Sequence, residues 1–113
     1  LLIFGYGKDE PYLHYGVVSA AGELVHSIEV PLPGPRLPHD MAFTEHYAIV
    51  NDFPMFWDPQ MMEHGLYIPR FHKDMPSRFA IIPRHGVAGE IRWFEADPTY
   101  VLHWVNAYEG NCP

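Results

Sequence analysis

A chain of 113 residues, with seven basic and fourteen acidic side chains and a net charge of −7, is one domain or part of one; its surface repels phosphate backbones, which excludes nucleic acid as the expected partner. Apolar residues make up 48% and charged residues 19%, a globular balance that excludes a disordered chain. Twelve prolines and nine glycines exclude long helices and favour short strands joined by tight turns.

The opening, LLIFGYGKDEPY, predicts a strand over Leu1–Gly5. It carries no initiator methionine, no basic leader and no small-residue cleavage site, so the chain is expected to be a piece of a longer protein. Gly5-Tyr6-Gly7 has Glu10 where a dinucleotide fingerprint needs its third glycine. Strands are predicted next at Leu13–Ser19 and Leu24–Val30, joined by SAAGEL. The proline-rich PLPGPRLP then delivers His39 and Asp40 to a strand over Asp40–Thr44, and TEHY turns into a strand over Tyr47–Asp52. Residues 53 to 77 read as a long insertion, with one helical turn in DPQMMEHG and a strand at Leu66–Pro69. Strands at Arg78–Ile82, Glu90–Phe94 and Tyr100–Val105 complete the chain. This spacing predicts an all-β antiparallel sandwich, barrel or propeller. No apolar run reaches the roughly 18 residues of a spanning helix. The lone cysteine, Cys112, allows no internal disulfide and points to a reducing, cytoplasmic setting.

A loose repeat runs through the chain. Each half has a hairpin, a proline-bounded loop and a strand carrying a histidine, His39 and then His103, 64 residues apart. A propeller blade takes roughly 40–50 residues, and the insertion accounts for the excess. The chain then makes about two blades of the roughly four to eight that close a propeller.

Strand alternation puts His39, Met41 and Phe43 on one face and Val101, His103 and Val105 on another. An imidazole among apolar neighbours needs a hydrogen-bond partner or a metal. Two readings stand: core histidines bonded to carbonyls, or metal ligands. His14, His26, His46, His64, His72 and His85 are expected in or beside turns, in solvent. The chain has no H-E-x-x-H, C-x-x-C or H-x-H spacing, and no His-x-Asp/Glu beginning at His39. Its three serines lie outside any G-x-S-x-G. Asp40, Asp52, Asp58, Glu95 and Glu109 supply carboxylates for a glycosidase alternative, with Trp57 and Trp93 as sugar-docking surfaces.

Three ordered motifs carry a more specific signal. The segment PYLHYGVVSAAGELVHSIEVPLPGPRLPHDMAFTEHYAIV resembles the part of the carotenoid cleavage oxygenases that holds H-D-F-A-[IVF]-T-x-x-Y. SRFAIIPR resembles that family's R-[FIL]-G-[VI]-[LI]-P-R, and IRWFEADPTYVLHWVNAYEG resembles R-W-F-E…F-H-x-x-N-A-[WY]-E. Met41, Pro38 and Ala80 depart from these patterns at positions that bear on packing. The resemblance implies a partial domain over residues 1–113, about two blades of a seven-bladed β-propeller. It also implies an axial Fe(II) held by four histidines, of which His39 and His103 are two; Glu109 receives no role. For the parent protein the resemblance implies a non-haem dioxygenase that uses O2 to cleave a conjugated C=C bond of a carotenoid or apocarotenoid into two carbonyls. The alternatives are a stilbenoid-cleaving enzyme of the same family and a non-catalytic propeller interaction module with core histidines. Peripheral membrane contact of the parent is open, because relatives draw apolar substrate from membranes. Asp40 is expected to be a structural acid that fixes its turn. A shared ion requires the two Nε2 atoms about 3–4 Å apart, and rings more than about 8 Å apart refute it.

Overall fold

The computed structural model describes residues 1–111; Cys112, the one cysteine, lies outside the described residues. The chain is nearly all β, as its breaker content predicts. Strands β1 (Leu2–Tyr6), β2 (Leu13–Val18) and β3 (Leu24–Glu29) form an antiparallel meander. Strands β4 (Ala42–Phe43), β5 (Tyr47–Asp52), β8 (Ser77–Pro83) and β9 (Arg92–Ala96) form a four-stranded antiparallel sheet in that order. Between β5 and β8 the insertion folds as a hairpin of β6 (Met55–Trp57) and β7 (Pro69–Phe71) around a short helix, α1 (Pro59–Glu63). A four-stranded meander matches one propeller blade, and the three-stranded sheet matches an incomplete one.

The core lies where the two sheets face each other. Leu13, Tyr15 and Val17 alternate along β2 and are buried against Ala48 and Val50 of β5 and Ala80 and Ile82 of β8. The register pairs small with large, Ala48 opposite Ile82 and Val50 opposite Ala80, so the layers interdigitate. Ala80 is fully buried and Pro38 is among the fully buried side chains, so these two departures from the family pattern are packing positions. Gly22, at φ +84°, closes the β2–β3 turn in a conformation that other residues adopt at a cost.

Several elements differ from the sequence reading, each for a local reason. The strand expected at Asp40–Thr44 shortens to Ala42–Phe43, because the Met41 N–H donates to the Asp40 carboxylate at 2.9 Å instead of to a strand. The expected strand at Tyr100–Val105 is irregular: it pairs with no strand among the described residues, and the Trp104 N–H is taken by Asp40. β6 has no counterpart among the expected strands, because Pro54 interrupts the run that contains it. The Leu66–Pro69 strand moves to Pro69–Phe71, since Leu66 is drawn into the end of α1 by its N–H bond to Met61 O. The strand expected at Glu90–Phe94 starts later, after a 3-10 turn at Ala88–Glu90. The α1 turn obeys its signals: Asp58 caps it by accepting from Gln60 N, and Pro59 opens it. His14 and His26 sit within β2 and β3, not in turns. No helix among the described residues is long and apolar enough to cross a membrane.

Two polar clusters hold the irregular segments to this frame. The Asp52 carboxylate, 6% exposed, accepts from Arg36 Nε at 2.5 Å and from Arg78 Nε at 3.0 Å. Arg36 also stacks on Phe56, and Arg78 on Trp93, 4.1 and 4.2 Å from the ring centroids. Together they fasten the proline loop to the ends of β5 and β8. At the other end, Glu109 accepts from Thr44 Oγ1 at 2.5 Å, His46 N at 2.8 Å and His46 Nδ1 at 2.9 Å. This clamps the C-terminal tail to the β4–β5 turn.

Removing one partner of the buried cluster strands a charge. Asp52→Ala is therefore expected to destabilise the parent protein by about 3–5 kcal/mol, read from urea unfolding. The tail clamp carries a pH signature. The Thr44 hydroxyl, with the His46 contacts, holds the Glu109 carboxyl down to about 2, and Glu109 raises His46. The Glu109 contribution is complete above its ordinary 4.5 and is lost as pH falls toward about 2. The His46 contribution is complete below its ordinary 6.5 and fades as pH rises through the raised value. The difference in unfolding midpoint between wild type and Glu109→Gln should peak between pH 4.5 and 6.5. It should shrink on both sides yet persist at pH 8, where the Thr44 hydroxyl and His46 N–H still donate. A flat profile would remove the clamp.

Candidate metal centre

The two singled-out histidines meet although neither lies in a regular strand. His39 comes after the proline loop and precedes β4; His103 comes after the turn that ends β9. Each follows the last strand of a sheet, β3 and β9, and neither stands on a strand as the loose repeat in the sequence predicts. Their ring centroids are 5.1 Å apart, with planes inclined at 51°, inside the separation at which a shared ion would be refuted. Both residues are exposed. Among the described residues the imidazole hydrogen bonds belong to His26, His46 and His64. Neither ring is buried or bonded to a carbonyl among the described residues, so nothing in this part of the protein favours the core-histidine reading.

The backbone around the pair is tied by short polar contacts. Asp40 Oδ1 accepts from Met41 N, and Oδ2 accepts from Trp104 N, each at 2.9 Å. The Trp104 bond is the main cause of a carboxyl held below the usual carboxylate range, with the Met41 bond adding to it. Tyr100 donates its hydroxyl to Leu37 O at 2.8 Å, two residues ahead of His39. Thr99 N donates to Ser77 Oγ at 2.9 Å, anchoring the same segment to β8. Trp104 packs edge-on against Phe79, and Tyr100 against Phe53. Asp40 is legible in the sequence as a structural acid. Its reach to Trp104 and the Tyr100 bond have no local signal, because both depend on tertiary approach.

The donor set suits a metal that accepts neutral nitrogen ligands. Two adjacent imidazoles stand free, while the nearest carboxylate is committed to backbone amides. No group of three or more His, Cys, Asp or Glu able to hold an ion occurs among the described residues, so a site here takes further ligands from elsewhere. His64 and His72 form no second centre: His64 Nδ1 bonds to Gln60 O, and His72 stacks on Phe56 at 4.1 Å. A cleft of about 700 Å³ passes Leu2, Phe4, Met41 and Phe43 and touches Asp40, but neither His39 nor His103 lines it.

The acids do not assemble into a hydrolytic pair. Asp52 lies between two guanidinium groups, Asp58 caps α1 and faces Arg70 at 3.4 Å, Asp40 holds backbone amides and Glu109 clamps the tail. Glu95 remains, exposed on β9. Trp57 meets Tyr67 edge-on and Trp93 lies under Arg78, so neither presents a free sugar platform. The glycosidase alternative loses its paired carboxylates.

Comparison with known proteins supplies the context. A family profile described as retinal pigment epithelial membrane protein, RPE65, matches residues 1–112. A carotenoid 9,10(9',10')-cleavage dioxygenase of Crocus sativus is 33% identical over 111 residues, covering 96% of this chain and 20% of its own length. A resveratrol cleavage oxygenase of Aspergillus fumigatus is 28% identical over 113 residues, covering 96% of this chain and 23% of its own length. Among solved structures, the lignostilbene dioxygenase of Pseudomonas brassicacearum superposes with a TM-score of 0.74 at 35% identity, covering 83% of this chain and 20% of that one. The cobalt-substituted ACO of Synechocystis gives a TM-score of 0.74 at 30% identity, covering 88% and 21%. The chain spans about a fifth of the length of these relatives. With that profile matched almost end to end and the same sheets found in enzymes of this kind, the chain belongs to the RPE65 family of carotenoid and stilbenoid oxygenases.

Proposed function

We propose that the parent protein is a non-haem Fe(II) dioxygenase that cleaves a conjugated C=C bond of a carotenoid or apocarotenoid, with His39 and His103 as two of the iron ligands. The observation that carries this reading is the pair of free imidazoles 5.1 Å apart, brought together across 64 residues beside a carboxylate that is otherwise engaged. The remaining ligands then come from the four fifths of the parent that this chain does not span, where further blades complete the propeller.

The reaction balances without another reductant: one C=C and one O2 become two C=O, one oxygen atom in each product. Ferrous iron, when bound, supplies the centre at which O2 is activated. The chain's own part is to present two neutral nitrogen donors. Asp40 beside them stays ionised, but its two oxygens accept from Met41 N and Trp104 N, which holds it to the main chain instead of offering it as a ligand. A neutral donor set suits an apolar polyene, whose site must exclude water. A stilbenoid substrate is the second reading, favoured by the likeness to the lignostilbene dioxygenase.

The test uses the parent protein with Fe(II) and O2, β-carotene and a hydroxystilbene as separate substrates, and product analysis by mass spectrometry. Two aldehydes from the polyene, each carrying one atom of labelled O2, are expected; cleavage of the stilbene alone selects the second reading, and cleavage of neither sinks both. His103→Ala should lower iron per folded molecule at least about tenfold, and turnover should fall with it. The variant should still fold, with the wild-type far-ultraviolet circular dichroism, so that the loss is one of metal and not of structure. Full iron and full turnover in that variant would remove His103 from the site.

A further inference from the structure

We infer that Asp40 is a positioning residue for the metal pair: its carboxylate staples the chain just after His39 to the chain just after His103. The inference rests on the reading of those two histidines as ligands, and it assigns the spacing between them to one side chain.

The geometry is specific. Oδ1 takes the N–H of Met41, two positions after His39, and Oδ2 takes the N–H of Trp104, the residue directly after His103. Neither amide has a strand partner. One short side chain therefore supplies the acceptors that a β-ladder would otherwise provide, and it does so for both ligand segments together. Because the staple grips main chain, it sets where each Cα stands, and the imidazoles move with it.

A second contact acts in the same sense. The Tyr100 hydroxyl donates to Leu37 O at 2.8 Å, upstream of both histidines. The two cross-links bracket the pair, Tyr100 to Leu37 before it and Trp104 to Asp40 after it. Between them, each histidine has only a short stretch of backbone free to move. Ligand-orienting groups of this kind typically govern metal affinity by about 10–100-fold.

The chemistry of the staple predicts which replacement fails. It needs two acceptors, and both partners are donors. Asparagine keeps the size but offers one oxygen and one NH2, so either Met41 N–H or Trp104 N–H faces another donor. The acid, not its volume, is what the site requires.

The experiment titrates Co(II) alone into the metal-free parent protein and reads affinity and the visible ligand-field spectrum, which reports the arrangement of ligands. Asp40→Asn is expected to weaken Co(II) binding about tenfold or more and to alter the band pattern. Tyr100→Phe, which retains the ring against Phe53, is expected to weaken binding less but in the same direction. His103→Ala serves as the reference. If His103→Ala leaves Co(II) affinity and spectrum unchanged, the ligand reading itself fails, and the staple with it. If His103→Ala abolishes the spectrum while Asp40→Asn keeps wild-type affinity within about twofold and an unchanged spectrum, the staple alone is overturned. A lower melting temperature of Asp40→Asn, with an unaltered spectrum in the folded protein, likewise overturns it. Should Asp40→Asn not fold, Tyr100→Phe decides: wild-type affinity and spectrum refute the bracketing cross-links.

Discussion

A carboxylate buried at the end of β5 has to be neutralised, and the way Asp52 is neutralised organises the molecule. Arg36 comes from the proline loop and Arg78 from β8, and both converge on its two oxygens. Because a half-satisfied cluster would leave an uncompensated charge in the interior, the proline loop has one place to go. That loop carries four prolines from Pro31 to Pro38 and makes little regular hydrogen bonding of its own. Prolines stiffen it, the arginine anchors it, and the chain emerges at His39 with its direction already set. Arg36 on Phe56 extends the same anchor into the inserted hairpin, so the insertion is fastened to the frame by the same residue.

The second constraint is the shortage of strand partners. β4 has two residues, and among the described residues the segment after β9 has no ladder at all. In most sheets such backbone would be solvated or capped by turns. Here acidic side chains replace the missing acceptors: Asp40 for Met41 and Trp104, Glu109 for His46. Arg84 adds the complementary case, donating from its guanidinium to the Thr44 carbonyl. The histidines are presented from irregular chain, yet each irregular stretch is fixed by a side chain that comes from a distant part of the sequence.

What the sequence revealed and what it hid divide along this line. The strands β2, β5 and β8 were legible because Leu13, Tyr15 and Val17, or Ala48 and Val50, alternate in a core that rewards the pattern. The α1 turn was legible because Asp58-Pro59 is a local start signal. The histidine pair was legible through its motifs, but its surroundings were misread. Alternation placed His39 and His103 on strand faces, whereas the hydrogen bonds of Met41 and Trp104 go to Asp40 and break the ladders that alternation assumes. Nothing local to Asp40 announces a partner 64 residues away. Similarly, Glu109 sits in a recognisable motif, yet its role as a clamp on Thr44 and His46 emerges only when the tail folds back on the β4–β5 turn. Side chains that act locally can be read from neighbours; side chains that substitute for a missing strand cannot.

The distance in sequence between the paired histidines also sets an order of events. His39 leaves a translating ribosome 64 residues before His103, and the cross-links that fix their separation close only with segments made later: β5, β8 and the chain after β9. Loop closure over that span is entropically costly until the intervening sheet exists, so the pair forms late in folding and cannot act as its nucleus. An ion that needs both rings therefore meets a chain whose second sheet is already built. On the proposed reading of the pair as ligands, metal uptake is then a maturation step, open to control by when and where the finished sheet meets its ion, and a polypeptide stalled before β9 would present His39 without His103.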